Sequence, residues 1–144
     1  MKGNICMKTF KEYILMEEKT NTDSKNIMKE IINLCKSNLK ADLLDNKLVK
    51  KSNYDECNLE FSTTSKDAYK DKSSNLSFLK DKYRINIFLS FDIFNDGLIE
   101  LKGLTLKDDA NSYNYKDELF KGKQTIKEFK NDLLKAIKRL NEDL

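Results

Sequence analysis

Asp92, Glu100 and Lys102 are the residues whose types and spacing could support catalysis. They stand in the segment SFDIFNDGLIELKG (90–103), in which two apolar runs flank residues 95–97, Asn-Asp-Gly. A three-residue loop, built as a type I turn closed by a left-handed glycine, would place Asp92 opposite Glu100. Lys102 would then lie on the same sheet face, two residues beyond Glu100. Two carboxylates in this position could hold Mg²⁺, and the lysine could position or activate a water molecule.

This arrangement resembles the Asp…Glu-x-Lys signature of a large nuclease family with a helix–three strands–helix core. The resemblance implies Mg²⁺-dependent phosphodiester cleavage, with Asp92 and Glu100 as metal ligands, Lys102 as a catalytic residue and Glu30 as a further acid. The gap between Asp92 and Glu100 is short for that signature, and Asp92 stands near the turn instead of at the start of its strand. We therefore favour a structural role, in which the positive charge of Lys102 or Arg84 offsets the repulsion between Asp92 and Glu100.

The register of the predicted hairpin follows from the alternation of apolar residues. The three-residue loop pairs Phe94 with Leu98 and brings Ile93 opposite Ile99, so that the apolar residues of both strands share one face. Gly103 interrupts the alternation, which predicts a bulge or a bend at that position.

The sequence as a whole predicts an α+β fold in a single domain, residues 1–144. We expect a three-stranded antiparallel β-meander flanked by an N-terminal helix pair and a C-terminal amphipathic helix, in the order α-α-β-β-β-α. The predicted elements are helices 9–19 and 24–40, strands 57–64, 83–94 and 98–106, and a helix that begins at Thr125. The pattern Thr-Ile-Lys-Glu at 125–128 is typical of a capping box.

Charge and composition exclude several classes of function. The 27 basic residues nearly balance 24 acidic ones, and only two of the basic residues are arginines, which gives little attraction for nucleic-acid phosphates. Because the chain has no histidine, mechanisms that need a Ser-His or Cys-His pair or a histidine metal ligand are excluded. Cys6, Cys35 and Cys57 form no C-x-x-C motif, so we expect three reduced, partly buried thiols and no zinc site or cofactor.

A second resemblance concerns RNA. The order α-β-β-β-α is similar to that of double-stranded-RNA-binding domains, and the segment GKQTIKEFKNDLLKAI (122–137) resembles the lysine-bearing start of that family's last helix. The resemblance implies phosphate contacts from four lysines: Lys121, Lys123, Lys127 and Lys130. Phe129 stands where that family has a small residue, and the connection before the central strand is long. Nucleic-acid binding is therefore an alternative that we do not favour.

Apolar residues on the other face of the sheet suggest protein binding. The candidate protein-binding residues are Phe88, Phe94 and Leu98 on the sheet, and Tyr113 and Tyr115 in the polar connection 107–122. If the helices cover only one face of the sheet, the first three form an exposed apolar patch ringed by charge, as in many protein interfaces. If helices cover both faces, these residues are buried instead.

The hypothesis that fits these observations best is a small non-enzymatic module that binds another protein. Its size suits an inhibitor or an immunity-type protein, and the abundance of Lys, Asn and Ile without proline is typical of a low-GC bacterium, a phage or a mobile element. The chain has no apolar run near 18 residues and no signal-peptide pattern, so we expect no membrane association. The expected location is the cytoplasm of the bacterium or of an infected host.

Overall fold

The computed structural model describes residues 10–65, 83–108, 111–115, 120 and 122–144, and only the backbone of residues 10–23. The described part is an α+β structure with an antiparallel sheet, which confirms the predicted class. Its elements are α1 (Phe10–Asn38), β1 (Asp42–Lys50), β2 (Tyr54–Thr64), β3 (Arg84–Phe94), β4 (Ile99–Lys107), β5 (Ser112–Asn114), β6 (Lys123–Gln124) and α2 (Ile126–Asp143). None of the described helices combines the length and the apolar composition needed to cross a bilayer.

The sheet has the order β1-β2-β3-β4-β5, and every pair of neighbouring strands is antiparallel. The short strand β6 pairs with β4 at Ile99 and Glu100, so β5 and β6 share one edge of β4. The three predicted strands correspond to β2, β3 and β4, with ends that differ by at most three residues. The predicted meander is therefore present, and it forms the centre of a larger sheet.

The predicted N-terminal helix pair is wrong, because one helix, α1, runs without a break through residues 20–24. The sequence Thr-Asn-Thr-Asp-Ser at that position contains neither glycine nor proline. Its residues are weaker helix formers than alanine by only a few tenths of a kcal/mol each, which does not end a long helix. Residues 1–9, and with them the predicted helix start at Thr9, lie outside the described residues.

Strand β1 is absent from the sequence-based prediction. Its sequence DLLDNKLVK places apolar residues next to each other instead of in alternation, because Leu44 is an extra residue between two registers of the β1–β2 ladder. Most of its residues are exposed, as is usual for an edge strand. The polar turn that links β1 to β2, closed by a hydrogen bond from Lys51 N–H to the Tyr54 carbonyl at 2.9 Å, was the signal available in the sequence.

Both helices pack on one face of the sheet, which we call the core face. Phe129 of α2 is fully buried, and its ring centroid lies 5.4 Å from that of Phe91 and 5.6 Å from that of Phe120. The buried residues of the two helices and of the core face form one hydrophobic cluster: Ile31, Cys35, Leu39, Cys57, Leu59, Phe61, Ile85, Ile87, Leu89, Phe91, Ile93, Ile99, Leu101, Leu104, Leu106, Phe129, Leu133, Ala136, Ile137 and Leu140. No helix in the described part of the chain covers the opposite face, which we call the outer face.

Helix α2 begins with the predicted capping box. The Thr125 hydroxyl accepts a hydrogen bond from the Glu128 N–H at 3.2 Å, and the Glu128 carboxylate accepts one from the Thr125 N–H at 2.9 Å. Two hydrogen bonds to the Glu128 carboxylate, one from the Thr125 N–H and one from the Thr125 hydroxyl, lower the pKa of Glu128. At the other end of α2, the Asn141 side chain accepts from the Lys40 N–H and donates to the Asn38 carbonyl, which ties α2 to the end of α1. The predicted start of α2 is thus confirmed.

Candidate functional site

The β3–β4 hairpin has the predicted register. The Phe94 N–H donates to the Leu98 carbonyl at 2.8 Å, and the Gly97 N–H donates to the Phe94 carbonyl at 2.9 Å. Gly97 has a φ of +87°, a conformation that costs glycine little and other residues much. Asp92 lies opposite Glu100, as the three-residue loop predicts.

A bulge in β4 brings Lys102 to this acid pair. Ser90 lies opposite Gly103 and Phe91 lies opposite Leu101, so Lys102 is the extra residue of the strand. The insertion restores the apolar alternation, because Leu101 and Leu104 both reach the core face although three positions separate them. The predicted irregularity near Gly103 is confirmed, and the bulge leaves Lys102 on the outer face.

Four charged residues from three strands form what we call the acid–lysine cluster: Glu56, Asp92, Glu100 and Lys102. Glu56 of β2 lies opposite Asp92, which lies opposite Glu100. The Lys102 Nζ lies 3.4 Å from Asp92 Oδ2 and 3.3 Å from Glu100 Oε1. The sequence-based prediction missed Glu56, although the alternation of β2 continues to that residue. One ammonium group therefore contacts two carboxylates in a row of three.

Asp92 is the buried member of this cluster, with 3% of its surface exposed. Its Oδ1 atom is buried and has no hydrogen-bond partner, while its Oδ2 faces Lys102. Burial raises the pKa of Asp92, and the contact with Lys102 opposes that rise. The contact with Glu100 raises the pKa of Lys102. The balance of charge at this site thus depends on Lys102.

At the two predicted metal ligands, the arrangement favours an ion pair with Lys102 over a bound cation. The Lys102 ammonium group already contacts both carboxylates that would hold Mg²⁺, so a cation there would meet a positive charge. Glu30, the further acid implied by the nuclease resemblance, lies on α1 and pairs with Lys130 at 2.8 Å, across the sheet from Asp92. Among the described residues, no three His, Cys, Asp or Glu side chains are grouped so that they could hold a metal ion.

We expect Mg²⁺ and Mn²⁺ to leave the melting temperature unchanged. We also expect Asp92→Asn to leave the free energy of unfolding unchanged or to raise it by a few tenths to about 1 kcal/mol. The reason is that the substitution removes one of three adjacent carboxylates. Thermal melts of both proteins with and without each metal test this. A metal-dependent rise in the melting temperature that Asp92→Asn abolishes would show instead that the acids form a metal site.

The three apolar residues predicted on the outer face lie there, but they do not form one patch. Phe88 is 37% exposed, in the central strand of the sheet. Phe94 is six residues away, or about 20 Å along an extended strand. Its ring packs against Tyr54 and carries the Lys123 Nζ 4.0 Å above its centroid. The acid–lysine cluster lies between them, so Phe94 and the half-buried Leu98 belong to the hairpin end, separate from Phe88.

The two tyrosines in the predicted binding set also differ from each other. Tyr113 is 49% exposed, but its register partner Leu106 belongs to the core face, so Tyr113 is not beside Phe88. Tyr115 is buried, and its hydroxyl donates a hydrogen bond to Asp143 of α2. Tyr115 is thus only 7% exposed, and its hydroxyl joins the chain beyond β5 to α2.

Two of the lysines implied by the RNA resemblance, Lys123 and Lys130, lie on opposite sides of the sheet. Lys123 lies over the Phe94 ring, while Lys130 pairs with Glu30 on the helical layer. Lys127 is exposed on α2, and Lys121 lies outside the described residues. The element order differs as well, since β1 stands between α1 and the three-stranded meander.

The cysteines are structural where they are described. Cys35 and Cys57 are both free and buried, and burial raises the pKa of each thiol to about 12. Because the thiolate is the reactive form, neither residue is a nucleophile near neutral pH. Cys6 lies outside the described residues.

Comparison with known proteins gives no guide to this site. The chain matches no model of a known protein family, no curated protein and no solved structure.

Proposed function

We propose that this chain is a small non-enzymatic module that binds another protein through the outer face of its sheet, around Phe88. The observation that carries this proposal is the exposure of an aromatic side chain at the centre of a sheet face that no described helix covers. Exposed aromatic residues at the middle of a surface are typical anchors of protein interfaces, because they bury a large area at a small entropic cost.

The surroundings of Phe88 support this role. Glu60 and Thr105 lie directly opposite it on the neighbouring strands, and Asn86 and Ser90 lie beside it on β3. The Ser90 hydroxyl donates a hydrogen bond to Asn58 Oδ1 at 2.8 Å, which fixes part of this polar rim. A single apolar anchor inside a polar rim favours a partner that offers a hydrophobic pocket with hydrogen-bonding groups around it.

The charge on the outer face favours a protein partner over a nucleic acid. The strand registers place six acidic residues there: Asp42, Asp45, Glu56, Glu60, Asp92 and Glu100. They place five basic residues on the same face: Lys47, Arg84, Lys102, Lys107 and Lys123. A face that is nearly neutral and mixed in sign attracts a polyphosphate weakly, whereas it suits a protein surface of mixed polarity.

The size and composition of the chain support an inhibitor or an immunity-type protein. The chain has no histidine, and the two thiols that the structure describes, Cys35 and Cys57, are buried, so the described residues offer no Ser-His or Cys-His pair and no accessible thiol. The abundance of lysine, asparagine and isoleucine supports an origin in a low-GC bacterium, a phage or a mobile element. The expected compartment is the cytoplasm.

Capture experiments with matched variants test this proposal. Phe88 and Leu134 are almost equally exposed, at 37% and 39%, but Leu134 lies on α2, on the opposite side of the molecule. We expect a specific protein to be captured from the source cells by the parent and by Leu134→Asp, and to be lost with Phe88→Asp. Capture of nucleic acid alone, or equal loss in both variants, would contradict the proposal.

A further inference from the structure

Strand β1 is an open edge of the sheet. It is nine residues long and pairs with β2 on one side, and in the described part of the chain no strand pairs with its other side. The hydrogen bond from Lys51 N–H to the Tyr54 carbonyl fixes which positions face β2. Because the pattern alternates in an antiparallel ladder, positions 45, 47 and 49 bond to β2, whereas the backbone groups of 46 and 48 point outward.

The local hydrogen bonds agree with this assignment. The Asn46 N–H donates to the carboxylate of its neighbour Asp45 at 2.9 Å instead of to a ladder carbonyl. The groups that an added strand would use are therefore those of Asn46 and Leu48.

The sequence of β1 is complementary to itself about Asn46. Asp45 precedes Asn46 and Lys47 follows it, and Leu44 and Leu48 stand one position further out on each side. Asp45 and Lys47 both lie on the outer face, since their partners on β2 are Glu60 and Asn58. Reading the strand in the opposite direction thus replaces each charge by the opposite charge and each leucine by a leucine.

We propose that β1 pairs antiparallel with β1 of a second copy of this chain, about a twofold axis at Asn46. Residues directly opposite in an antiparallel pair share a face, so Asp45 of each copy meets Lys47 of the other. The two Asn46 residues exchange backbone hydrogen bonds, for which each Asn46 N–H leaves the carboxylate of its own Asp45. Leu44 lies opposite Leu48 of the second copy.

The two adjacent registers, with an axis at Asp45 or at Lys47, are less favourable, and the exposure of Leu44 supports the axis at Asn46. An axis at Asp45 or at Lys47 would place like charges opposite each other, which destabilises a strand pair. Leu44 is 55% exposed, more than any other large hydrophobic side chain in the described residues. The pairing about Asn46 would cover it.

The pairing also explains how the edge strand β1 can avoid unrelated strands and still bind a second copy of itself. Charged side chains on an edge strand discourage pairing with unrelated strands. In this register the same charges become two attractive pairs. The twofold axis is perpendicular to the sheet, so both outer faces point to the same side of the dimer. The inference does not depend on the proposed binding role of Phe88.

Sedimentation equilibrium of the full chain and its variants tests this inference. We expect a reversible dimer of the parent, a dissociation constant at least about tenfold weaker for Lys47→Asp and for Asp45→Lys, and recovery in the double swap. Lys127→Asp, with the same change of charge on the exposed side of α2, should dimerise like the parent. A parent that stays monomeric at high concentration, or a dimer that none of the β1 substitutions weakens, would overturn the proposal.

A backbone variant gives an independent check. Asn46→Pro removes an N–H that the β1–β2 ladder does not use, so the fold should be kept while the dimer is lost. Circular dichroism confirms the fold before sedimentation is measured. A folded Asn46→Pro protein that still forms the parental dimer would overturn the proposal.

Discussion

Phe129→Ala is expected to lower the free energy of unfolding by about 3–5 kcal/mol. The Phe129 side chain is fully buried and contacts Phe91 of β3 and Phe120. Truncation removes the contact by which α2 is held against the centre of the sheet, and it leaves a cavity in a core that is close-packed. Because domains of this size are stable by only about 5–15 kcal/mol, the loss is a large part of the total.

Urea unfolding of Phe129→Ala beside Leu134→Ala measures this effect. Leu134 stands on the same helix but is partly exposed, so its truncation should cost much less. If Phe129→Ala does not fold, Phe129→Leu should still lose about 1–2 kcal/mol, because it removes less volume. Losses of similar size at both positions would contradict the described packing.

Lys102→Ala is expected to lower the free energy of unfolding by about 1–3 kcal/mol. The substitution leaves the buried Asp92 carboxylate beside Glu56 and Glu100 without a balancing charge. The double variant Asp92→Asn/Lys102→Ala should recover most of the loss, since the neutral amide needs no counter-charge. A double variant as unstable as Lys102→Ala would show that Lys102 acts through packing instead of charge.

The same pair of residues predicts a dependence on pH. An acid whose pKa is raised in the folded state holds its proton more tightly there than in the unfolded chain. Such an acid destabilises the folded state when it is charged. This destabilisation disappears as the pH falls through the folded pKa toward the pKa of the unfolded chain. Burial raises the pKa of Asp92, and removal of Lys102 should raise it further. The decrease in the free energy of unfolding caused by Lys102→Ala should thus be smaller at about pH 5 than at about pH 8.

The hairpin was predictable because its determinants are local. Asn95-Asp96-Gly97 fixes the loop, and the alternation on both sides fixes the register, so the positions of Asp92 and Glu100 followed from the sequence. Gly103 marked the bulge for the same reason. The capping box at Thr125 fixed the start of α2 in the same local way.

The elements that sequence analysis missed depend on tertiary context. β1 is an edge strand whose bulge at Leu44 breaks the alternation, so no period marks it. Residues 20–24 could serve as a turn or as part of a helix, and their types do not decide between the two. The burial of Asp92 and Tyr115 depends on neighbours that are distant in the chain.

The candidate binding surface was only partly predictable, because its exposure also depends on tertiary context. Alternation placed Phe88, Phe94 and Leu98 on one face, but it could not show that a charged cluster separates the first from the others. It also could not show that both helices leave this face uncovered. Only the packing of α1 and α2 against the core face makes Phe88 a candidate anchor.

Site-specific photo-crosslinking from position 88 shows whether a protein contacts the outer face of the sheet. A photoreactive phenylalanine analogue replaces Phe88 in one protein and Leu134 in another, two positions of nearly equal exposure on opposite sides of the molecule. In the source cells, we expect a discrete protein adduct from position 88 and none from position 134. Adducts from position 134 alone, or the same products from both positions, would contradict it.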